Sequence, residues 1–187
     1  SSAASDVYKR QKHDHVLIPA GTVHCSGADT MVLEISATPY IFTFKLWDWG
    51  RVDLDGKPRP IHLEHGAANI QWYRNTEWVH RNLVNAVAEV YTGENGTVVR
   101  TGLHEREFLD TFRFTTSSAL PVHRNGSVHM LNLVDGTRAV LRSKSDAFPP
   151  LELHYAETCI VPQAAGDYEI YSPDGSEVKV ILACVRN

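Results

Sequence analysis

The chain has 187 residues, of which 43% are hydrophobic and 21% are charged, so it is long and apolar enough to bury the core of one or two domains. Its formal net charge of -4 excludes long-range attraction to nucleic acid or to an anionic membrane, although a few local cations could still hold a small anion. The sequence has neither an apolar run of membrane-span length nor a secretory signal, which predicts a cytoplasmic protein.

Residues 1–11, SSAASDVYKRQ, show neither strand alternation nor a helical apolar stripe. They resemble the conceptual translation of a transposase-type sequencing-library adapter. We therefore interpret this segment as an artefact and expect native sequence from about Lys12 onward. The alternative is an ordinary disordered terminus, and the codons that encode the segment would distinguish the two.

Residues 12–60 read as short apolar strands separated by turns, the pattern of an antiparallel barrel. The strand-like runs are HVLIP, TVHCSG, TMVLEIS and YIFTFKLWDWGR. The segment VDLDGKPRP that follows them, with Asp55-Gly56 and two prolines, is predicted to be a turn or loop. We interpret residues 12–60 as the end of one barrel.

Residues 61–92 lose this period of two, and Thr76 as a possible N-cap predicts at least one short helix in a partly helical linker. His62, His65 and His80 in this linker are expected to be surface or interhelical residues rather than metal ligands. Strand signals return at regular spacing over residues 93–187, which predicts a second all-β sandwich or barrel.

The three cysteines, Cys25, Cys159 and Cys184, include no CxxC pair, and we expect them to be reduced packing residues. Two segments, Asn95-Gly-Thr97 and Asn125-Gly-Ser127, match the glycosylation acceptor pattern. Because Asn-Gly is also a strong turn signal, we interpret both as turns.

The segment IPAGTVH carries the first candidate site residue. Pro19 and Gly21 predict a tight turn, after which Thr22 and His24 would share one face of a strand. An imidazole on the inner face of a barrel is a natural zinc ligand, although a lone strand histidine also occurs as a satisfied core residue. Residues 18–24 and residues 161–167 show a weak internal sequence similarity, in which Asp167 corresponds to His24. No His-x-His pair occurs from Gly93 on, so the second barrel is predicted to hold no metal.

The run that ends at Arg51 predicts a strand with two cations on one face. With a period of two, Lys45 and Arg51 point to the same side, whereas Asp48 points to the other. The alternative is that both cations are solvated strand ends.

Three further charged residues are candidates. Glu34 lies in the apolar run VLEIS, where an unpaired carboxylate is costly to bury, so it is expected to face the site or to form a structural ion pair. Lys57 and Arg59 in the DGKPRP loop either meet a substrate phosphate or are simply exposed.

The stretch from Val16 to His65 resembles the type I mannose-6-phosphate isomerases of the cupin superfamily, through IPAGTVH, VLEIS and FKLWDWGRVDLDGKPRPIHLEH. The resemblance implies a mainly β fold: a cupin, or double-stranded β-helix jelly roll, with the end of one barrel, a helical linker and a second barrel. It also implies Zn²⁺ bound by His24 together with a Gln-x-His or His-type pair and a glutamate that lie earlier in the family's sequence. Since these partners are missing here, we expect a carboxy-terminal fragment that is truncated inside the catalytic domain.

The resemblance implies roles for four more residues. Arg51 corresponds to a cation that binds the sugar phosphate, Glu34 to a glutamate considered as an acid or base, and Lys57 lies in the substrate-binding loop. Lys45 stands where the family has a catalytic arginine, so a bidentate contact is replaced by a mobile point charge.

The implied activity is the interconversion of mannose 6-phosphate and fructose 6-phosphate by proton transfer between C1 and C2 through an enediol, with a small sugar phosphate as the partner. The rival interpretations are a sugar-binding or regulatory protein with two cupin barrels and no catalysis, and a purely structural lobe. We expect the fragment itself to be inactive, because one histidine does not form a catalytic zinc site.

Overall fold

The computed structural model describes residues 11–37, 43–102 and 104–186. These residues form two compact units, one reaching to Val84 and the other beginning at Asn85. The segment interpreted as adapter-derived lies, except for Gln11, outside the described residues. No helix in the described ranges has the length and apolarity needed to cross a membrane.

The second unit is built from β-strands. They are β1 (Ala88–Gly93), β2 (Gly96–Arg100), β3 (Leu109–Thr116), β4 (Ala119–Val122), β5 (His129–Asp135), β6 (Arg138–Ser143), β7 (Leu151–His154), β8 (Thr158–Val161), β9 (Tyr168–Tyr171) and β10 (Val178–Val185). A short 3₁₀ helix, Gln163–Ala165, lies between β8 and β9.

The strands pair antiparallel in two sheets. One has six strands in the order β1-β2-β3-β10-β5-β8, and the other has four in the order β4-β9-β6-β7. From β3 onward the chain passes back and forth between the two sheets, as in a jelly roll, so that each sheet covers the apolar face of the other. The predicted mainly β, jelly-roll fold is confirmed.

Strand β10 organises the core because it lies between β3 and β5. Its alternate residues Val178, Val180 and Leu182 are buried, with Leu182 opposite Phe112 on one side and Leu131 on the other. A buried side chain of this size contributes about 1.5–3 kcal/mol relative to an exposed one. The period of two in EVKVILACVRN therefore predicted a strand that the structure contains.

Two details of the second unit are not evident from strand periodicity. The strand-like run LELHYAETCIVPQ forms two strands, because a turn with Ala156 at φ 65° separates β7 from β8. Strand β4 was not predicted, since Pro121 weakens the strand signal; the proline is tolerated because β4 is at the edge of its sheet.

The first unit contains two helices, α1 (Leu63–Asn69) and α2 (Thr76–Asn82). The predicted helix at Thr76 is confirmed, but its N-cap is Asn75, whose side chain accepts a hydrogen bond from Trp78 N at 3.0 Å. The first strand of the second unit begins at Ala88, within the range interpreted as linker.

The strands predicted between residues 15 and 51 do not form among the described residues. Outside its helices, the described part of the first unit makes only isolated β-bridges, Val16 to Val84 and Val52 to Pro58. The physical reason is that a strand needs a neighbour for its backbone hydrogen bonds, and the described part of the first unit offers no such ladder.

The turn between β1 and β2 generates a stability prediction. Gly96 has φ 132°, and a Cβ added there would lie 2.1 Å from the backbone oxygen of Thr115, so Gly96→Ala should destabilise the second unit by about 3 kcal/mol. Gly175 also has positive φ, at 76°, but open space around it, so Gly175→Ala should cost only about 1 kcal/mol. Urea unfolding of both variants measures the difference, and equal losses would contradict this account of the turn.

Candidate functional site

The turn predicted in IPAGTVH is present. Thr22 N donates to Pro19 O at 3.2 Å, and Gly21 has φ 82°, a conformation that favours glycine. A Cβ at Gly21 would also lie 2.6 Å from Asn69 O, so the turn packs closely against the end of α1. The turn is thus fixed both by its own hydrogen bond and by a neighbour.

Arg74 anchors this turn, a role that sequence patterns did not reveal. Its guanidinium donates to the carbonyl oxygens of Pro19 at 3.1 Å and Ala20 at 2.8 Å, and to Thr22 Oγ1 at 2.5 Å. The same group lies over the Trp78 ring, 5.3 Å from its centroid. One side chain therefore joins the turn to the helical segment that follows α1.

His24 follows the turn on exposed chain rather than on a strand face, so the predicted shared face with Thr22 is wrong. Its Nδ1 lies 2.9 Å from Thr22 O. Because a carbonyl oxygen only accepts, Nδ1 carries the proton and Nε2 keeps the lone pair with which a neutral imidazole binds a metal.

The strand predicted to carry Lys45 and Arg51 is interrupted by a turn. Arg51 N donates to Asp48 O at 2.9 Å, and both central residues, Trp49 at φ 58° and Gly50 at φ 66°, have positive φ. Two successive positive φ values define a type I′ turn, so the alternation of a single strand does not hold and the predicted two-cation face is wrong. Residues 38–42, directly before Thr43, lie outside the described residues.

The segment before this turn is held against α1. His62 N donates to Lys45 O at 2.7 Å, and Lys45 N donates to His62 Nδ1 at 3.2 Å. Gly66 of α1 is buried, and a Cβ there would lie 2.4 Å from Leu46 Cδ2, so the helix packs closely against the Leu46 side chain. The rings of His62 and His65 lie beside the Phe44 ring, with centroids 6.2 and 6.0 Å away, and His65 is exposed, in keeping with the prediction of surface residues.

Asp48 binds two cations. Its Oδ2 lies 3.0 Å from Arg59 Nε and 3.5 Å from Lys45 Nζ, and its side chain is only 11% exposed. A carboxylate with so little access to water requires such partners. Sequence alternation placed Asp48 away from Lys45, which is why this ion contact was missed.

The predicted DGKPRP loop is confirmed. Asp53 closes it: its backbone oxygen accepts from Gly56 N at 3.1 Å, and its Oδ1 accepts from Lys57 N at 2.9 Å. The loop returns the chain so that Arg59 N donates to Arg51 O at 3.1 Å. Arg59 is therefore beside Arg51, while Lys57 is exposed at the tip of the loop.

A cavity of about 280 Å³ lies beside these residues. It is lined by Trp47, Asp48, Gly50, Arg51, Pro58, Arg59 and Ile61. Within the described part of the chain, the Arg51 guanidinium forms no ion pair, whereas Arg59 contacts Asp48. The cavity can therefore present a positive charge to an anion of small-molecule size.

The structure does not bring all the predicted site residues together. Glu34 is exposed, as are Met31, Val32 and Leu33 before it, so the premise of a costly buried carboxylate is wrong. Among the described residues, no hydrogen bond or ion pair joins His24 or Glu34 to Lys45, Arg51 or Lys57.

The described residues do not complete a zinc centre. They include no group of three or more His, Cys, Asp or Glu side chains placed to hold a metal ion. His24 has a suitable free nitrogen, but a single imidazole is not a site.

The interior of the second unit contains a polar chain that sequence patterns did not reveal. His129, 2% exposed, accepts from the Tyr168 hydroxyl at Nδ1 over 2.9 Å and donates from Nε2 to Asn125 Oδ1 over 3.1 Å. Asn125 Nδ2 donates in turn to Cys184 Sγ at 3.2 Å. The Asn125 side chain is thus held by hydrogen bonds inside the protein, and the chain bends at Gly126 and Ser127, in keeping with the predicted turn.

Burial changes the pKa values of the titratable side chains in this interior. It lowers the pKa of His129 to about 4, with a smaller contribution from Arg124, and it raises the pKa of the Cys184 and Cys159 thiols. Both thiols pack in or against the core, as predicted, whereas Cys25 is exposed and its predicted packing role is wrong.

Asp167, which corresponds to His24 in the weak internal similarity, forms hydrogen bonds within the protein. Its Oδ1 accepts from Arg124 N at 2.9 Å, and its Oδ2 lies 2.8 Å from His123 Nδ1. These bonds hold the pKa of Asp167 below its ordinary value. The carboxylate therefore fastens the chain after β4 to the start of β9.

No protein-family model matches the chain, and no curated protein sequence matches it. Among solved structures it is similar to the mannose 6-phosphate isomerase from Bacillus subtilis, with a TM-score of 0.54 and 13% identity over 75% of this chain and 39% of that one. It is also similar to a cupin-2 domain from Rhodospirillum rubrum, with a TM-score of 0.45 and 10% identity over 55% and 72% of the two chains. A polyketide cyclase from Streptomyces resistomycificus gives a TM-score of 0.41 and 14% identity over 54% and 74%.

The likeness to the Bacillus subtilis isomerase agrees with the two antiparallel sheets described above, and the predicted mainly β, cupin-type jelly-roll fold is confirmed. The chain spans 39% of the length of the Bacillus subtilis isomerase. At 13% identity this likeness concerns the fold.

The buried His129 generates a pH prediction. In the unfolded chain the His129 side chain takes up a proton near pH 6.5, whereas in the folded chain it does so only near pH 4. The unfolded state therefore binds the proton first, and the free energy of unfolding should fall by about 3 kcal/mol as the pH is lowered from 6.5 to 4. His129→Gln should remove this part of the pH dependence. His154→Gln, at an exposed residue, should retain it. Urea unfolding at pH 7, 5.5 and 4 measures all three proteins, and parallel curves for wild type and His129→Gln would contradict the assignment.

Proposed function

We propose that the protein to which this chain belongs interconverts mannose 6-phosphate and fructose 6-phosphate, and that this chain carries its sugar-phosphate-binding cations. The observation that carries the proposal is the group of Arg51, Arg59 and Lys45 at and around one cavity, with Arg51 outside any ion pair in the described residues. The sequence resemblance over residues 16–65 and the shared fold with the Bacillus subtilis isomerase give it further support.

Each cation takes a distinct part in this proposal. Arg51 binds the phosphate, because a guanidinium offers two parallel donors to phosphate oxygens. Lys45 lies 3.5 Å from Asp48 Oδ2, and its ammonium acts as a point charge toward a developing enediolate or the phosphate. Lys57, exposed at the loop tip, adds a second phosphate contact.

The remaining roles rest on the resemblance. Glu34 serves as the acid or base that moves the proton between C1 and C2. Zn²⁺ is the proposed cofactor, with His24 Nε2 as one ligand, and the other ligands are not among the described residues of this chain. The proposed compartment is the cytoplasm, in keeping with three cysteines that form no disulfide.

Arg51→Gln tests the proposal in the zinc-loaded protein that contains this chain. Loss of a charge-assisted contact worth about 1.5–3 kcal/mol should raise the KM for mannose 6-phosphate roughly 10- to 100-fold, with a smaller change in kcat. A coupled assay for fructose 6-phosphate measures both parameters.

Arg106→Gln is the matched control, since Arg106 is an exposed arginine of the second unit; it should leave KM unchanged. An unaltered KM for Arg51→Gln would overturn the phosphate role. Binding of mannose 6-phosphate without any turnover would instead favour the sugar-binding protein without catalysis.

A further inference from the structure

Two exposed tryptophans form a pair beside the cavity. Trp47 and Trp49 are 65% and 60% exposed, and their ring centroids are 4.3 Å apart at an interplanar angle of 39°. Large aromatic side chains are ordinarily much less accessible, because burying them is favourable. The paired rings offer a flat apolar surface against which a ligand can stack.

The backbone holds this pair in an unfavourable conformation. Trp49 has φ 58°, a region that bulky residues avoid, in the turn closed by the hydrogen bond from Arg51 N to Asp48 O. The turn places the Trp49 ring against the Trp47 ring. Strain of this kind at an exposed residue is a reason to look for a function.

The cavity beside the pair has one apolar side and one cationic side. Trp47, Pro58 and Ile61 supply the apolar lining, and the charged residues Arg51, Arg59 and Asp48 together leave a net positive charge beside it. The volume of about 280 Å³ is at the lower end of the range for small-molecule sites, so the cavity suits a small ligand such as a single sugar ring with its phosphate.

This division matches the chemistry of a phosphorylated sugar. Its phosphate pairs with guanidinium groups, while the C–H bonds on one face of its ring carry partial positive charge and lie favourably against the negative face of an indole. Neither inorganic phosphate nor an unphosphorylated sugar would satisfy both sides of the cavity.

We propose that Trp47, supported by Trp49, is the platform for the sugar ring in a hexose-phosphate site whose phosphate is held by Arg51 and Arg59. The substrate class rests on the proposed function, but the site requires no metal and no catalysis. Trp47 and Trp49 therefore determine preference for the sugar part of the ligand.

Isothermal titration of the full 187-residue chain in EDTA tests this site, with mannose 6-phosphate, mannose and inorganic phosphate as probes. The wild-type chain should bind mannose 6-phosphate at least about tenfold more tightly than either other probe. Trp47→Ala should weaken mannose 6-phosphate about tenfold and leave inorganic phosphate within twofold. Trp49→Ala should act in the same direction.

Two further variants keep the outcome interpretable. Trp47→Phe preserves an aromatic face and should retain most of the affinity, which separates stacking from a general loss of structure. Trp72→Ala removes a tryptophan that is 74% exposed and outside the cavity lining, and it should leave all affinities unchanged.

Equal affinity of wild type and Trp47→Ala for mannose 6-phosphate would overturn the platform, and so would equal affinity of wild type for mannose 6-phosphate and inorganic phosphate. If Arg51→Gln abolishes binding while Trp47→Ala does not, the platform fails and the proposed function stands. If binding depends on Trp47 but the zinc-loaded protein shows no turnover, the proposed function fails and the sugar-phosphate site stands.

Discussion

Two cations of the candidate site share one carboxylate, that of Asp48. The side chain of Asp48 is almost enclosed, with Arg59 and Lys45 on its Oδ2, and its backbone oxygen closes the turn that leads to Arg51. A buried carboxylate is stable only with such partners, so it fixes where Lys45 and Arg59 lie. Asp48, Arg51 and Arg59 all line the cavity, and among the described residues Arg51 forms no ion pair.

The two units are stabilised by different means. The second has a continuous apolar core between two sheets, and its buried polar groups, such as His129 and Tyr168, satisfy one another. The first relies on specific local contacts: Arg74 on the Pro19 turn, and Gly66 against Leu46. Its binding residues are on turns and loops, where function commonly concentrates.

Sequence patterns predicted the second unit well because period-two alternation reports burial on one face, as in Val178, Val180 and Leu182. They also predicted the Pro19 turn and the DGKPRP loop, where Gly and Pro act locally. They failed at Trp49, since alternation does not reveal a positive φ, and therefore at the Asp48 ion contacts that the turn creates. Contacts between distant residues, such as His129 with Tyr168, leave no periodic signal.

The organising role of Asp48 is tested most directly by the affinity of the Asp48→Asn chain for mannose 6-phosphate. Simple electrostatics predicts tighter binding, because a negative charge near the phosphate is removed. We predict weaker binding, because Lys45 and Arg59 lose the carboxylate that positions them. Isothermal titration should show a loss of affinity of about tenfold. Tighter or unchanged binding would contradict the organising role of Asp48.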